Sequence, residues 1–191
     1  MAGKGANFTK IDVLRCFLRF DKNKGRQELA RELELGEGTI RTILDILKSK
    51  KLLDSTKKGH FLSKKGAEAL SQINGQISTL KNAPIQNLYP QFNKVGVVVK
   101  NSSNLGEICK IRDIAVKNKA EGALILKFDG KLYAPESDYG QDYKELEKHF
   151  GLENNDVLVI AFSNERLFAE NGALAIAVEL NDFLKKFINE L

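Results

Sequence analysis

The sequence predicts an α+β protein built from two parts of different character. Residues 1–72 show helical spacing of apolar residues followed by a short hairpin, and residues 94–191 alternate strand and helix patterns. Charge divides the chain as well: residues 1–75 carry 16 Lys and Arg against 9 Asp and Glu, whereas 76–191 carry 14 against 16. We therefore expect a basic N-terminal domain, a connecting helix and linker over 73–93, and a C-terminal small α/β sandwich with a mainly antiparallel sheet.

The composition is that of an ordinary globular protein, with 42% hydrophobic and 29% charged residues. No apolar run approaches the roughly 18 residues that a bilayer requires. The N-terminus lacks the apolar core of a signal peptide, so we expect a cytoplasmic protein. Cys16 and Cys109 lie far apart inside helical patterns, and we expect both to be buried thiols rather than a disulfide.

The first part of the chain predicts three helices. Residues 10–20, 26–33 and 37–50 each place apolar residues at helical spacing. Gly36 is expected to end the second helix, because glycine readily adopts the left-handed conformation. The apolar stripe of the third helix comprises Ile40, Leu44 and Leu47, with Ile43 beside it.

A hairpin and a further helix are predicted next. The extended run at Leu52 and Leu53 turns over 56–59 and returns at Phe61 and Leu62. Ser63 is expected to cap the helix that follows. The apolar spacing from Leu70 to Leu80 extends this pattern as a connecting helix that ends before Pro84, and the linker follows at 82–93.

The second part predicts strands and helices in alternation, with the helices on one face of the sheet. Asp129-Gly130 between two apolar runs is expected to form a tight primed turn. The predicted elements are a strand at 95–100, a helix at 105–120, a hairpin at 122–136, a helix at 143–151, a strand at 156–162 and one long helix at 165–191.

A helix, a short turn, a second helix and a hairpin with a basic tip form the layout of a winged helix-turn-helix. The segments TIRTILDILKSKKLL (39–53) and LSKKGAEAL (62–70) resemble those of winged-helix transcription regulators, and the resemblance covers about residues 8–72. It implies a recognition helix at about 37–50 and a wing at 54–62. Lys51 stands where this family usually has glycine. Because a lysine with positive φ costs about 1 kcal/mol, we expect the turn there to be shaped differently.

The resemblance implies that the recognition helix enters the major groove of DNA and that the wing contacts phosphates. Arg41 is the best candidate to reach a guanine edge or a phosphate, while Lys48 would reach the backbone only. Two acids on the same face, Glu37 and Asp45, oppose groove entry. The expected DNA-binding residues are Thr39, Arg41, Thr42 and Lys48 of the helix and Lys57, Lys58 and His60 of the wing.

The whole chain also resembles an uncharacterised archaeal two-domain family. The C-terminal domain of that family is similar to the insert domain of bacterial-type aspartyl-tRNA synthetases, a likeness based on element order and the segment GALILKFDGKLYAPE (122–136). This resemblance implies no catalytic residues. The sequence shows no metal-ligand cluster, P-loop, nucleophile elbow or dinucleotide fingerprint, so we expect neither enzyme activity nor a cofactor.

A loop between a predicted strand and helix offers backbone amides and hydroxyls to a small anion. The candidate residues are Ser102, Ser103 and Asn104, and the alternative for Ser103 or Asn104 is a plain helix cap.

These observations favour a DNA-binding transcription regulator with double-stranded DNA as partner, a small-molecule effector and no membrane contact. We expect a homodimer, because one winged helix makes few contacts and paired half-sites raise specificity. The alternatives are an RNA-binding or translation-associated factor and a protein-interaction module.

Overall fold

The structure is a computed structural model, and it describes residues 8–85, 87–102, 105–136 and 141–191. The predicted α+β class is confirmed, since a helical N-terminal part precedes a sheet-rich C-terminal part. The chain divides into two compact units, Met1–Gln72 with Phe187–Leu191 and Ile73–Lys186. Within the described part of the chain, no helix combines the length and the apolar character that crossing a membrane requires.

Unit 1 contains three helices and a two-stranded antiparallel hairpin, in the predicted order. The elements are α1 (Lys10–Phe17), α2 (Arg26–Leu33), α3 (Glu37–Ser49), β1 (Leu53–Thr56), β2 (Gly59–Leu62) and the start of α4 (Lys64–Gln76). The predicted stripe of α3 is confirmed, because Ile40, Ile43, Leu44 and Leu47 are all at most 2% exposed. The ring of Phe187 stacks on that of Phe17, with 5.7 Å between centroids.

Helix α2 ends with a left-handed residue that is not glycine. Glu34 adopts φ 54° and ψ 38°, and the amide of Leu35 donates to the carbonyl of Ala30 at 3.1 Å. Gly36, which was expected to stop this helix, has φ −63° and serves as the N-cap of α3. That expectation is wrong because the reversal of the chain is completed two residues earlier, at Glu34.

Helix α3 ends in the same way at Lys51, which has φ 60°. The amide of Leu52 donates to the carbonyl of Leu47 at 2.9 Å, and the amide of Lys51 donates to the carbonyl of Lys48 at 2.8 Å. This pair of bonds is the Schellman motif, in which glycine is usual at the left-handed position. The expectation of a differently shaped turn is therefore wrong: the lysine adopts the glycine conformation.

The hairpin has a two-residue tip, and its return strand packs against the Lys24 segment. Thr56 pairs with Gly59, so that Lys57 and Lys58 form a two-residue tip. Gly59 has φ 122°, and a Cβ atom there would lie 2.8 Å from the carbonyl oxygen of Lys24, which pairs with His60. Only glycine fits this position without displacing the backbone of the Lys24 segment.

The predicted cap at Ser63 is confirmed. Its hydroxyl oxygen accepts from the amide of Gly66 at 3.0 Å and donates to the carbonyl of Lys51 at 2.6 Å. The Lys65 ammonium group donates to the Lys50 carbonyl at 3.1 Å. The beginning of α4 thereby satisfies carbonyl groups that the end of α3 leaves open.

Unit 2 is organised around a five-stranded sheet with the strand order β3–β4–β7–β5–β6, in which each neighbouring pair is antiparallel. The strands are β3 (Lys81–Asn82), β4 (Asn93–Val99), β5 (Gly122–Phe128), β6 (Leu132–Tyr133) and β7 (Val157–Ser163). The helices are α5 (Ile108–Lys117), α6 (Lys144–Phe150), α7 (Arg166–Glu179) and α8 (Asp182–Glu190), whose last residues are grouped with unit 1.

Helices cover both faces of this sheet, so the expectation of one covered face is wrong. On one face, Leu146 and Phe150 of α6 form a cluster with Val98, Leu126 and Leu158. On the other face α7 crosses β4 and β7. Gly172 allows this close approach, because a Cβ atom there would lie 2.8 Å from that of Ala120 and 3.2 Å from that of Ala161.

Further expectations are corrected. Helix α4 ends at Gln76 because the amide of Ser78 pairs with β4, and strand β3 occupies the start of the predicted linker. The hairpin of β5 and β6 has a three-residue loop, since Phe128 pairs with Leu132.

The predicted C-terminal helix is broken at Asn181, whose side-chain oxygen accepts from the amide of Leu184 and caps α8. Cys16 is buried as expected, whereas Cys109 is exposed. Its position on the outer side of α5 explains the difference, because only one side of that amphipathic helix is buried.

Candidate nucleic-acid interface

An open cleft of about 480 Å³ lies on the outer side of α3, between this helix, the start of α2 and strand β2. It brings together three of the predicted residues, Arg41, Lys48 and His60. It also includes Arg26, which the sequence did not single out. The remaining lining residues are Gly25, Gln27, Leu44 and Asp45.

Helix α3 exposes the predicted contact residues because its apolar stripe is wholly buried. Arg41 and Thr42 are exposed and Thr39 is half-buried. The hydroxyl of Thr42 donates to the carbonyl of Gly38 at 3.2 Å. No carboxylate of the described residues forms an ion pair with Arg41, so its guanidinium group is open to a ligand.

Lys48 is paired on its own helix. Its ammonium group lies 2.8 Å from a carboxylate oxygen of Asp45, three residues earlier. The hydrogen bond and charge of Lys48 hold the pKa of Asp45 below its ordinary value, and Arg41 contributes in the same direction. Asp45 therefore stays ionised and neutralises part of the positive charge along this face.

Arg26 is the first residue of α2, and its guanidinium Nε lies 3.3 Å from a carboxylate oxygen of Glu37 at the start of α3. A cation is unfavourable at a helix N-terminus, because the macrodipole places partial positive charge there. That conflict is the signal that could have identified Arg26 from the sequence. The two side chains are 44% and 48% exposed, so the pair is weak and a phosphate could replace the carboxylate.

His60 is placed by the backbone of strand β2. Its amide and carbonyl both pair with Lys24, and its side chain borders the cleft. Burial lowers the pKa of the imidazole, the charges of Lys48 and Arg26 lower it further, and Asp45 opposes them. The ring is therefore neutral at pH 7, and its Nδ1 has no hydrogen-bond partner among the described residues.

The two lysines at the hairpin tip are exposed, as a contact with phosphates requires. The amide of Lys58 donates to the hydroxyl of Thr56 at 3.2 Å, which fixes the tip backbone. Neither Lys57 nor Lys58 lines the cleft, so the tip and the cleft are two separate basic features of unit 1.

The predicted anion loop is described only in part. Ser102 is 7% exposed and its hydroxyl lies 3.5 Å from the carbonyl oxygen of Leu180. Ser103 and Asn104 lie outside the described residues. The anion site stays a prediction.

The fold and the cleft define a two-unit α+β protein with a basic helical N-terminal unit. Residues 10–68 match the family model of the PH0730-like N-terminal domain, and residues 90–180 match that of a domain of unknown function, DUF4443. The chain is therefore similar to these two domains, in that order. The match agrees with the resemblance of the whole chain to an uncharacterised two-domain family, and the domain boundaries given above stay a prediction.

Among solved structures, the chain is similar to the hypothetical protein PH0730 from Pyrococcus horikoshii OT3. The two share 28% sequence identity with a TM-score of 0.76, over 94% of this chain and 99% of that chain. A comparison with curated proteins returned no match. The likeness of the C-terminal domain to the synthetase insert domain stays a prediction.

Proposed function

We propose that unit 1 is a winged helix-turn-helix that binds double-stranded DNA, and that the protein regulates transcription. The observation that carries this proposal is the convergence of Arg26, Arg41, Lys48 and His60 at one cleft beside the exposed side of α3. These groups come from α2, α3 and β2, so local helix amphipathicity does not account for their meeting.

The dimensions of α3 suit a groove. Its 13 residues span about 20 Å at roughly 1.5 Å per residue. In this proposal the outer side of its first half enters the major groove, where Arg41 reaches a guanine edge or a phosphate and Thr39 and Thr42 contact backbone or thymine methyl groups. Lys48, about two turns farther along than Arg41, contacts the backbone only.

Positive charge outside the helix supplies affinity without sequence information. Arg26 at the start of α2 and the tip residues Lys57 and Lys58 are exposed, and each could neutralise one phosphate. Lys58 and Lys57 lie on a hairpin held at its base by backbone hydrogen bonds, so little ordering accompanies contact.

Asp45 gives the proposal its sharpest test. Its carboxylate lies beside Arg41 and Lys48, where approaching phosphates would meet like charge. If DNA occupies this face, Asp45→Asn should tighten binding by about threefold or more, because it removes repulsion and frees Lys48. Arg41→Ala should weaken binding by at least tenfold.

The experiment is fluorescence anisotropy of the full chain with random duplex DNA, transfer RNA and single strands across a salt series. DNA binding predicts a preference for duplex, with an affinity that falls steeply as the salt concentration rises. The double variant Lys57→Ala, Lys58→Ala should show a shallower slope of log affinity against log salt concentration. The matched control is Lys117→Ala with Lys131→Ala, which removes two exposed lysines from unit 2 and should leave the slope unchanged. Unaltered duplex binding by Arg41→Ala and Asp45→Asn would refute this assignment of the interface.

The competing proposal is an RNA-binding or translation-associated factor, which the synthetase-like resemblance of the C-terminal domain favours. It predicts tighter binding to transfer RNA than to duplex DNA in the same experiment. Selection of bound sequences from random duplex DNA then tests both class and symmetry, since a homodimer would enrich an inverted repeat.

A further inference from the structure

Unit 2 contains a second cleft, of about 450 Å³, on the face of the sheet that α6 covers. Its floor is formed where three strands lie side by side: Lys94 of β4 pairs with Phe162 of β7, which pairs with Gly122 of β5. Ile160 of β7 pairs with Leu124 of β5, and this pair extends the floor along the two strands. The volume is within the range of small-molecule sites.

The walls of the cleft are apolar and aromatic. The ring of Tyr89 stacks on that of Phe162 with 4.5 Å between centroids, and Phe92, which does not line the cleft, stacks on the same ring at 5.7 Å. Gly122 leaves room for the ring, since a Cβ atom there would lie 2.7 Å from the Phe162 Cζ atom. Ile85 and Leu88 add aliphatic surface on the Tyr89 side.

Two cations border this apolar space, Lys94 and Arg112. Among the lining residues that the structure describes there is no acid, and no described carboxylate forms an ion pair with Arg112. The Nε atom of Arg112 is buried and has no hydrogen-bond partner there. Among the described residues, β6 pairs with β5 only at Lys127 and Phe128, so it does not reach Gly122 and Leu124 at the floor of the cleft.

A buried donor without a partner is costly in a folded protein, and it is satisfied when a ligand supplies the acceptor. The planar guanidinium group favours oxyanions that accept two parallel hydrogen bonds, such as carboxylate or phosphate. The apolar walls favour an apolar body on the same molecule. The charge and the walls therefore select one class of ligand, an amphipathic organic anion.

We propose that this cleft binds a small organic anion, with its carboxylate or phosphate group on Arg112 and Lys94 and its apolar body against Phe162, Tyr89 and Leu124. The inference concerns unit 2 alone and does not depend on the DNA-binding proposal. Binding is measured without nucleic acid, so the two proposals can fail separately.

The test is isothermal titration calorimetry of the full chain with three probes of matched chain length: octanoate, octyl phosphate and the neutral 1-octanol. We expect at least one anion to bind at least tenfold more tightly than 1-octanol. A preference for octanoate identifies a carboxylate ligand, and a preference for octyl phosphate identifies a phosphate ligand.

Arg112→Met should reduce the preference for the anion by at least tenfold, and Lys94→Met should reduce it by at least threefold. Lys117→Met removes an exposed lysine from the same helix and should bind like the parent, which controls for net charge. Thermal melting establishes that each variant is folded, and if Arg112→Met does not fold, Lys94→Met carries the test. Equal affinity for anions and 1-octanol, or an anion preference that survives in the folded variants, overturns the proposal.

Discussion

Lys24 and His60 exchange two backbone hydrogen bonds, and each amide nitrogen lies 2.9 Å from the carbonyl oxygen of the other residue. This bridge attaches strand β2 to the segment that precedes α2. As a result the His60 imidazole is held beside Arg26 and Lys48, although these three residues are far apart in the sequence. Because folding brings these charges to the His60 imidazole, the protonation of this ring is coupled to the folding of the basic cleft.

The first prediction concerns pH. Burial lowers the pKa of folded His60 below its ordinary value of 6.5, so the unfolded chain binds this proton more readily than the folded chain does. The free energy of unfolding should therefore decrease as the pH falls below about 6.5 towards the lowered pKa. Urea unfolding at a series of pH values measures this dependence.

Two histidine variants isolate that effect. His60→Gln should reduce the pH dependence of the free energy of unfolding between pH 6.5 and the lowered pKa. His149 is an exposed residue of unit 2, and His149→Gln should retain that dependence. Identical pH profiles for the parent and His60→Gln would show that the ring is not responsible.

The second prediction compares two glycines of the same helix. A Cβ atom at Gly66 would clash with the carbonyl oxygen of Leu52, whereas no atom lies within 4 Å of a Cβ atom placed at Gly75. Gly66→Ala should destabilise the protein by about 3 kcal/mol or more, because backbone must move. Gly75→Ala should stabilise it by up to about 0.5–1 kcal/mol, because alanine has a higher helix propensity than glycine and Gly75 lies in the last turn of α4. Similar denaturation midpoints for the two variants would contradict the packing of α4 on Leu52.

The third prediction follows from the left-handed lysine after α3. Lys51→Gly should raise the free energy of unfolding by about 0.5–1 kcal/mol, since glycine adopts positive φ without strain. Lys50 has φ −80°, so Lys50→Gly should lower it by a similar amount. Chemical denaturation of both variants measures these changes, and a destabilised Lys51→Gly would indicate a different turn.

The fourth prediction concerns the two thiols. Burial raises the pKa of Cys16 to about 12, so it is protonated and inert, whereas Cys109 is exposed on α5. A maleimide should label one thiol in the native protein and two in urea, as measured by mass spectrometry. Cys109→Ser should remove the native label, and a label that persists in this variant would show that Cys16 is accessible.

Periodic apolar patterns predicted the helices and strands well, because burial decides where these patterns form. The stripe of α3 and the hairpin at 53–62 depend on local spacing alone and agree with the structure. The ends of the helices were harder to predict from the sequence. Positive φ at Glu34 and Lys51 accompanies the hydrogen bonds that the next amides, of Leu35 and Leu52, donate back to the helix, and a residue's own preference does not reveal this. The break at Asn181 likewise follows from a side-chain cap within a continuous apolar pattern.

The candidate site was predictable in part for the same reason. The outward residues of α3 follow from its buried stripe, and the tip lysines follow from the hairpin register. Arg26 and the organic-anion cleft were not predicted, because both depend on contacts between residues distant in the sequence. Arg112 in particular lies in an ordinary amphipathic helix pattern, and only the folded chain shows its buried nitrogen and its place at the cleft.

The base of the hairpin and its tip have different structural roles. Ser63, Lys65 and Gly66 close the base against the end of α3, whereas Lys57 and Lys58 contribute nothing to that closure. The tip can therefore be lengthened, shortened or given other side chains while the helices stay in place. Evolution, or a protein engineer, can therefore replace this loop without rebuilding the domain, and in the proposed DNA complex such a replacement would change the contact with phosphates.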